Sequence, residues 1–303
     1  MPAALSYAIC ILIWGSTWFV IKFQLGVVPE SVSLVYRFGL AAFLLMAYLI
    51  IRRQNLRYGR QTHVWFAGLG ATLFCFNYLL TYMATHYLNS GLIAVLFSSI
   101  AIFSALNGRF FLKEKVSRRL WVGIVIGMVG IFILFMHKVG TVDYTHGTMM
   151  GFALALVASY LSSAGNMIAA RLQGAVPVLQ ANAWGMLYGT GLQLIVVVLT
   201  GESFVFDARP AYIISLLYLS VFGSVIAFVA LFILIKRVGT ARSGYIGLAT
   251  PIVALLLSTI FENFEWTPEK LVGVVIVLFG KSLVMLRTEH IAWLRQKLTV
   301  KNG

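Results

Sequence analysis

Residues 111–130 read FLKEKVSRRLWVGIVIGMVG, and residues 261–280 read FENFEWTPEKLVGVVIVLFG. A shift of 150 residues lays Phe111, Ser117, Val122, Gly123, Val125, Ile126 and Gly130 on Phe261, Thr267, Val272, Gly273, Val275, Ile276 and Gly280. In the same register Tyr78 and Tyr82 fall on Phe228 and Phe232. Glycine and aromatic matches that keep one frame are harder to reach by chance than exchanges among Leu and Val. The chain therefore reads as an internal duplication.

The duplicated unit is a set of membrane spans. Of 303 residues 60% are hydrophobic and only 11% charged, where a soluble domain carries about 25% charge. That supply cannot wet a globular surface, which excludes an ordinary soluble enzyme and a disordered chain alike. Long apolar runs broken by charge, Pro and Asn give ten segments, near 3–22, 32–51, 64–86, 90–110, 120–138, 147–170, 180–200, 211–235, 243–262 and 271–288. At roughly 20 residues per span, little remains for a soluble domain. The N-terminus, Met1 to Ala8, lacks a basic leader region, so the first run is read as a retained span. A very short link, His86 to Asn89, separates the third and fourth spans.

Five spans per unit is an odd number, so the second unit enters the membrane from the opposite side. The expected fold is an all-α polytopic membrane protein of ten transmembrane helices, built as two inverted five-helix repeats over 1–140 and 145–288, with a basic tail at 289–303. Basic residues orient it. Seventeen Lys and Arg fall in one set of loops and the tail, including Arg52, Arg53, Arg57, Arg60, Lys113, Lys115 and Arg118. Four, Lys22, Lys138, Arg209 and Lys270, fall in the other set, together with seven of the nine acids. By the positive-inside rule both termini are cytoplasmic, and the setting is the cell inner membrane. The net charge of +14 reflects this topology and gives no support for nucleic acid. In the tail Ile291, Leu294 and Leu298 sit at helical spacing beside Arg295 and Lys297, which fits an interfacial helix or a frayed, solvated end.

The same stretches carry a family resemblance. Trp14-Gly15-Ser16-Thr17 with Phe19, Ile21 and Lys22 resembles the opening of the drug/metabolite transporter superfamily, EamA type, and Tyr36-Arg37-Phe38 resembles its second-span Arg-Phe signature. Leu112 to Ser117, followed by Gly123, Gly127 and Gly130, is similar to the block closing each half, and Pro251 falls where a ninth-span proline is expected. The pattern is departed from at Phe264, in the place of a glutamate, with Glu262 and Glu265 nearby, and at Lys281. The resemblance implies export or exchange of amino acids and other small metabolites, through a cavity lined mainly by spans one, three, four, six, eight and nine.

The residues themselves supply candidates for that cavity. Ser159, Ser162, Ser163 and Asn166 share one face of span six, which lipid would not satisfy. Close helix packing through the serines is the plainer alternative. Trp14 and Thr17 share a face near the middle of span one, either as cavity wall or as packing. Phe74, Tyr78 and Tyr82 form a stripe on span three with Asn77 beside them, and Phe228 lies across the repeat. Buried Tyr hydroxyls require partners. Span nine adds Tyr245, Thr250 and Pro251, the proline serving as hinge or simple kink. The substrate-cavity set is thus Trp14, Thr17, Asn77, Tyr78, Tyr82, Ser162, Asn166, Phe228 and Tyr245, with Pro251 as the hinge.

Charge separates the mechanisms. No Asp or Glu lies well inside a span, so facilitated flux or exchange is expected, with no proton relay assigned. Snorkelling to the nearer surface accounts for Arg37 and Lys281; the functional alternative for Arg37 is contact with an anionic substrate group. Gly123, Gly127, Gly130, Gly273 and Gly280 would let spans five and ten approach neighbours closely, or form a homodimer. Cys10 and Cys75 lie in apolar runs with no metal-ligand spacing, and no cofactor or metal is expected. The expected partners are a small-molecule substrate and membrane lipid. The reading is a transporter of small amphiphilic metabolites, amino acids first, working by alternating access. Alternatives are a drug, nucleotide-sugar or cofactor carrier of the same fold, a passive channel, or an intramembrane enzyme.

Overall fold

The computed structural model describes residues 2–100, 102–103, 106–107, 118–136, 146–172, 174–231, 233–234 and 246–285. Among them the secondary structure is helical throughout: α1 (Ala3–Val20, tightening to a 3-10 turn at Ile21–Gln24), α2 (Glu30–Ile51), α3 (Arg60–Leu69, Gly70–Phe76 and Asn77–Thr85), α4 (Ser90–Phe97), α5 (Arg118–Met136), α6 (His146–Leu172), α7 (Val178–Thr200), α8 (Pro210–Leu217 and Tyr218–Ile226), α9 (Ile246–Phe261) and α10 (Pro268–Met285). Six described stretches are long and apolar enough to cross a membrane, and Trp121–Gly130 and Ala249–Phe261 are shorter apolar helices. The expected link at His86–Asn89 separates α3 from α4. Tyr245, Phe232 and the tail lie outside the described residues.

Proline places many of the boundaries. Pro2, Pro29 and Pro177 stand immediately before α1, α2 and α7, and Pro210 and Pro268 open α8 and α10. At these positions the missing N–H costs nothing and the fixed φ suits a helix start. Pro251 is different: it lies inside α9, where the ring opposes regular winding. It is buried, and a side chain on Gly15 of α1 would meet Val253 Cβ at 2.5 Å and the Thr250 carbonyl at 3.3 Å. The close α1–α9 approach therefore requires glycine.

The packing between the halves is reciprocal. A Cβ on Gly130 of α5 would stand 2.6 Å from Val277 N and 2.9 Å from Gly273 O of α10; one on Gly280 would stand 2.5 Å from Gly127 N and 2.8 Å from Gly123 O. Gly130 faces 273–277 while Gly280 faces 123–127, so the two helices cross antiparallel and exchange equivalent contacts. Gly127, Gly130 and Gly280 thus serve close packing within the chain. α2 and α7 behave similarly, Gly39 lying against Thr190 while Val32 shares a buried cluster with Val197. Around α2, α3 and α7 the largest core forms from Leu34, Phe38, Leu45, Phe66, Leu69, Phe74, Tyr82 and Met186, among others.

Among the described residues, two segments are wound wider than an α-helix, and both were missed by span counting. Gly70–Phe76 in α3 and Tyr218–Ile226 in α8 are wound as π-helix. The 150-residue shift carries 70–76 onto 220–226, inside the second segment. The duplication seen in the glycines is therefore repeated in backbone irregularity. Wide turns of this kind release carbonyls from the regular ladder, and a membrane interior demands that they be satisfied. Neighbouring helices do so: Gln193 Nε2 of α7 donates to Cys75 O at 3.1 Å, and Trp14 Nε1 of α1 donates to Gly223 O at 3.1 Å.

Candidate substrate site

The site grows around Arg37. It is the eighth residue of α2, about 10 Å of helix rise from Glu30. Its side chain is 1% exposed, and it is among the largest fully buried residues in the described chain. A snorkelling side chain would reach solvent, so that expectation for Arg37 is corrected. Phe38, next in sequence, packs edge-on against Tyr78 at 4.8 Å and Phe74 at 5.6 Å, which draws α3 against α2. The guanidinium carbon then lies 4.6 Å from the Tyr78 ring centre and 5.1 Å from that of Phe38, and Nη1 donates to Tyr82 Oη at 3.3 Å.

Placing an Arg at the centre of a span costs about 2.5–3.5 kcal/mol on insertion scales, an upper figure for Arg37, which lies a third of the way along α2. A desolvated cation–π contact recovers about 2 kcal/mol, and a hydrogen bond to a charged group about 1.5–3 kcal/mol. The tyrosines are thus sufficient to hold the cation, which explains why it can be buried. They do not saturate it, since a guanidinium has five N–H donors and Nε is buried without a partner.

The second half meets this cluster through α8. A Cβ on Gly223 would stand 3.0 Å from Thr17 Cγ2 and 3.7 Å from Arg37 Nη2. Trp14 donates to the Gly223 carbonyl and packs edge-on against Phe228 at 5.3 Å, and Phe228 approaches Phe74 at 6.3 Å. Ser16 and Tyr218 share a 2.7 Å hydrogen bond on the same seam. Trp14, Thr17, Tyr78, Tyr82, Phe228 and Arg37 are therefore brought together, in a basic and aromatic centre between the halves. α2 joins it through Arg37, although the resemblance omitted span two from the lining helices.

Other candidates are placed differently. Asn77 is buried, with Nδ2 on its own helix at Leu73 O, 3.2 Å, while Oδ1 has no partner. Leu73 and Gly223 are repeat equivalents, so each π segment has one matching carbonyl capped by a side chain. On α6, Ser159 bonds Ser99 at 2.8 Å and Ser163 receives Asn107 Nδ2 at 2.9 Å, which makes these serines packing residues against the fourth-span region. Ser162 is buried beside them. Asn166 shares their helical stripe yet is exposed. Pro251 is buried in α9, beside the α1 contact already described. Gly223, Gln193 and Asn107 were missed; a glycine or amide within an apolar run is the only trace each leaves in sequence. No group of three or more His, Cys, Asp or Glu able to hold a metal occurs among the described residues.

One end of the bundle is closed by polar ties between the halves. Lys22 Nζ lies 2.8 Å from Glu262 Oε1, and Glu262 Oε2 accepts from Ser90 N at 3.0 Å and Ser90 Oγ at 2.7 Å. Ser31 donates to Glu202, and Tyr212 Oη and Ser33 Oγ lie 2.9 Å apart. Burial alone would push the Glu262 carboxyl up; the Lys22 ammonium and the Ser90 hydroxyl outweigh it and hold the group below its ordinary 4.5.

An apolar helical bundle with several helices long enough to cross a membrane, and with a cation and aromatic rings enclosed between its helices, is the architecture of a multi-pass membrane protein. The EamA-like transporter family matches residues 1–136 and 149–286, and the chain belongs to that family. It is similar to the "Uncharacterized inner membrane transporter YedA" of Escherichia coli strain K12, 30% identical over 281 residues that cover 90% of this chain and 89% of the relative. The "Uncharacterized transporter YdfC" of Bacillus subtilis is 25% identical, covering 93% and 90%. The "Probable amino-acid metabolite efflux pump" of Salmonella typhimurium is 23% identical, covering 89% and 90%. A solved crystal structure shares the fold with TM-score 0.66 at 17% identity, over 93% of this chain and 95% of that one.

Proposed function

We propose that this transporter exports or exchanges small amphiphilic metabolites, amino acids first, by alternating access of two inverted five-helix units. The units span 1–140 and 145–288, and both termini face the cytoplasm. Two near-equivalent halves in opposite orientation give inward-open and outward-open states of similar energy, which is the physical basis of such a cycle. The observation that carries the reading is the reciprocal, antiparallel packing of Gly130 on α10 and Gly280 on α5. The two family matches, 1–136 and 149–286, support the division. The Arg37, Tyr78, Trp14 and Phe228 cluster lies on the seam that rocking would open, and its aromatic, weakly polar character suits amphiphilic solutes. The printed name of the Salmonella relative supports amino acids as first substrates.

Counterflow in proteoliposomes, with a labelled amino-acid panel against an unlabelled internal pool, tests it. Saturable uptake that unlabelled substrate competes is the expected result. Flux for none of the panel, with flux for a drug, nucleotide sugar or cofactor, would replace amino acids by that class. Conductance in single-channel recording without saturation would replace the carrier cycle itself.

A further inference from the structure

We propose that Arg37 anchors the carboxylate of the transported solute, so that the carrier takes acids and zwitterions and refuses their decarboxylated amines. The inference rests on the metabolite-carrier reading and names the group its site selects. Arg37 is 1% exposed, and none of the ion pairs among the described residues, Lys22–Glu262, His86–Glu30 and Arg209–Asp207, involves it. Its described neighbours are neutral: Tyr82 Oη on Nη1, the rings of Tyr78 and Phe38, and Gly223 beside Nη2. Nε is buried and has no partner. A charge held in a low-dielectric seam by π faces and one hydroxyl keeps its attraction for an anion. A planar guanidinium offers paired N–H groups that match a carboxylate in two parallel bonds.

The position fits selection as well as binding. Nη2 is next to the π-wound backbone of the second half, while Nη1 and the rings belong to the first. Rocking of the halves about this seam changes what covers Nη2, so the anion subsite is presented as the seam parts. The apolar remainder of an amphiphilic solute meets Trp14, Phe74 and Phe228, which pack on one another around the seam.

The test compares matched solutes on the full-length protein in proteoliposomes. Labelled phenylalanine and leucine counterflow is competed by each acid, by its methyl ester, and by 2-phenylethylamine or isopentylamine. Acids are expected to compete at least tenfold better than esters and amines. Arg37→Gln should raise the half-saturating acid concentration tenfold or more. Arg37→Lys, which keeps charge but loses the fork, should fall between, and Tyr82→Phe should raise it a few-fold. Esters and amines that compete as well as acids, or an unchanged half-saturation in Arg37→Gln, would overturn the anchor and leave the carrier standing. No counterflow of either acid, together with no thermal stabilisation of purified protein by acids over amines, would overturn both. Should Arg37→Gln fail to fold, the wild-type solute comparison decides alone.

Discussion

Lys22, at the end of α1, and Glu262, just past the end of α9, form an ion pair across the two halves at 2.8 Å, and the second carboxylate oxygen caps the start of α4 through Ser90. One side chain thus joins three helices at one end of the bundle. Lys22 is one-third exposed, so its own share is discounted for solvent screening. The buried carboxylate and its Ser90 bonds carry the larger part. Glu262→Gln should cost about 1–3 kcal/mol and lower the melting temperature in detergent, read by intrinsic fluorescence.

The pH dependence of that tie has a definite sign. Glu262 is held below its ordinary 4.5, so its contribution is complete above that value and is lost as pH falls through the lower folded value. The melting-temperature gap between wild type and Glu262→Gln should be constant from neutral pH to about 5 and close below 4.5. A gap that persists unchanged at pH 3 contradicts the assignment.

The α5–α10 crossing should tolerate no Cβ. Built at Gly130 or Gly280, it meets backbone at 2.6 and 2.5 Å, and backbone cannot step aside as a flexible side chain can. Gly130→Ala and Gly280→Ala should each destabilise by about 1–3 kcal/mol. At Gly191, in α7, a Cβ meets nothing within 4 Å, and Gly191→Ala should stabilise by about 0.5–1 kcal/mol. Equal melting temperatures for all three variants would contradict the packing described.

Trp14 caps a carbonyl that the π winding of α8 releases. Trp14→Phe keeps the ring against Phe228 but leaves Gly223 O without its donor. A cost of about 1–3 kcal/mol is expected, with a fall in counterflow larger than that of Leu12→Ala, a side chain exposed on the outer face of α1. Equal effects of the two variants would show that the cap has no bearing on transport.

Topology can be read with impermeant maleimide in intact cells. The two native cysteines are buried. A cysteine replacing exposed Asn55, in the basic link between α2 and α3, should label only after the membrane is opened. One replacing exposed Phe204, between α7 and α8, should label from outside. Labelling of both from one side would end the inverted arrangement.

Much of this was legible in the chain itself. Long apolar runs specify helices because lipid leaves the backbone no other way to satisfy its polar groups. The register of Gly123, Gly127 and Gly130 with Gly273 and Gly280 carries the duplication, since only glycine allows the backbone contact at Gly130 and Gly280. The boundaries followed proline and charge, which act locally. Burial of Arg37 was not legible: a lone cation about one turn inside a span looks the same whether it bends to the surface or turns to the core.

Tertiary structure decided that question, because the groups that hold Arg37, Tyr78 and Tyr82, lie on another helix and meet it only after packing. It likewise decided the π winding at Gly70–Phe76 and Tyr218–Ile226, since the donors that make those turns affordable, Gln193 and Trp14, come from distant segments. Periodicity tells which residues share a face of one helix; only the assembled bundle tells what that face meets. Hence Ser159 and Ser163 became packing residues, and Asn166, on the same stripe, stands exposed.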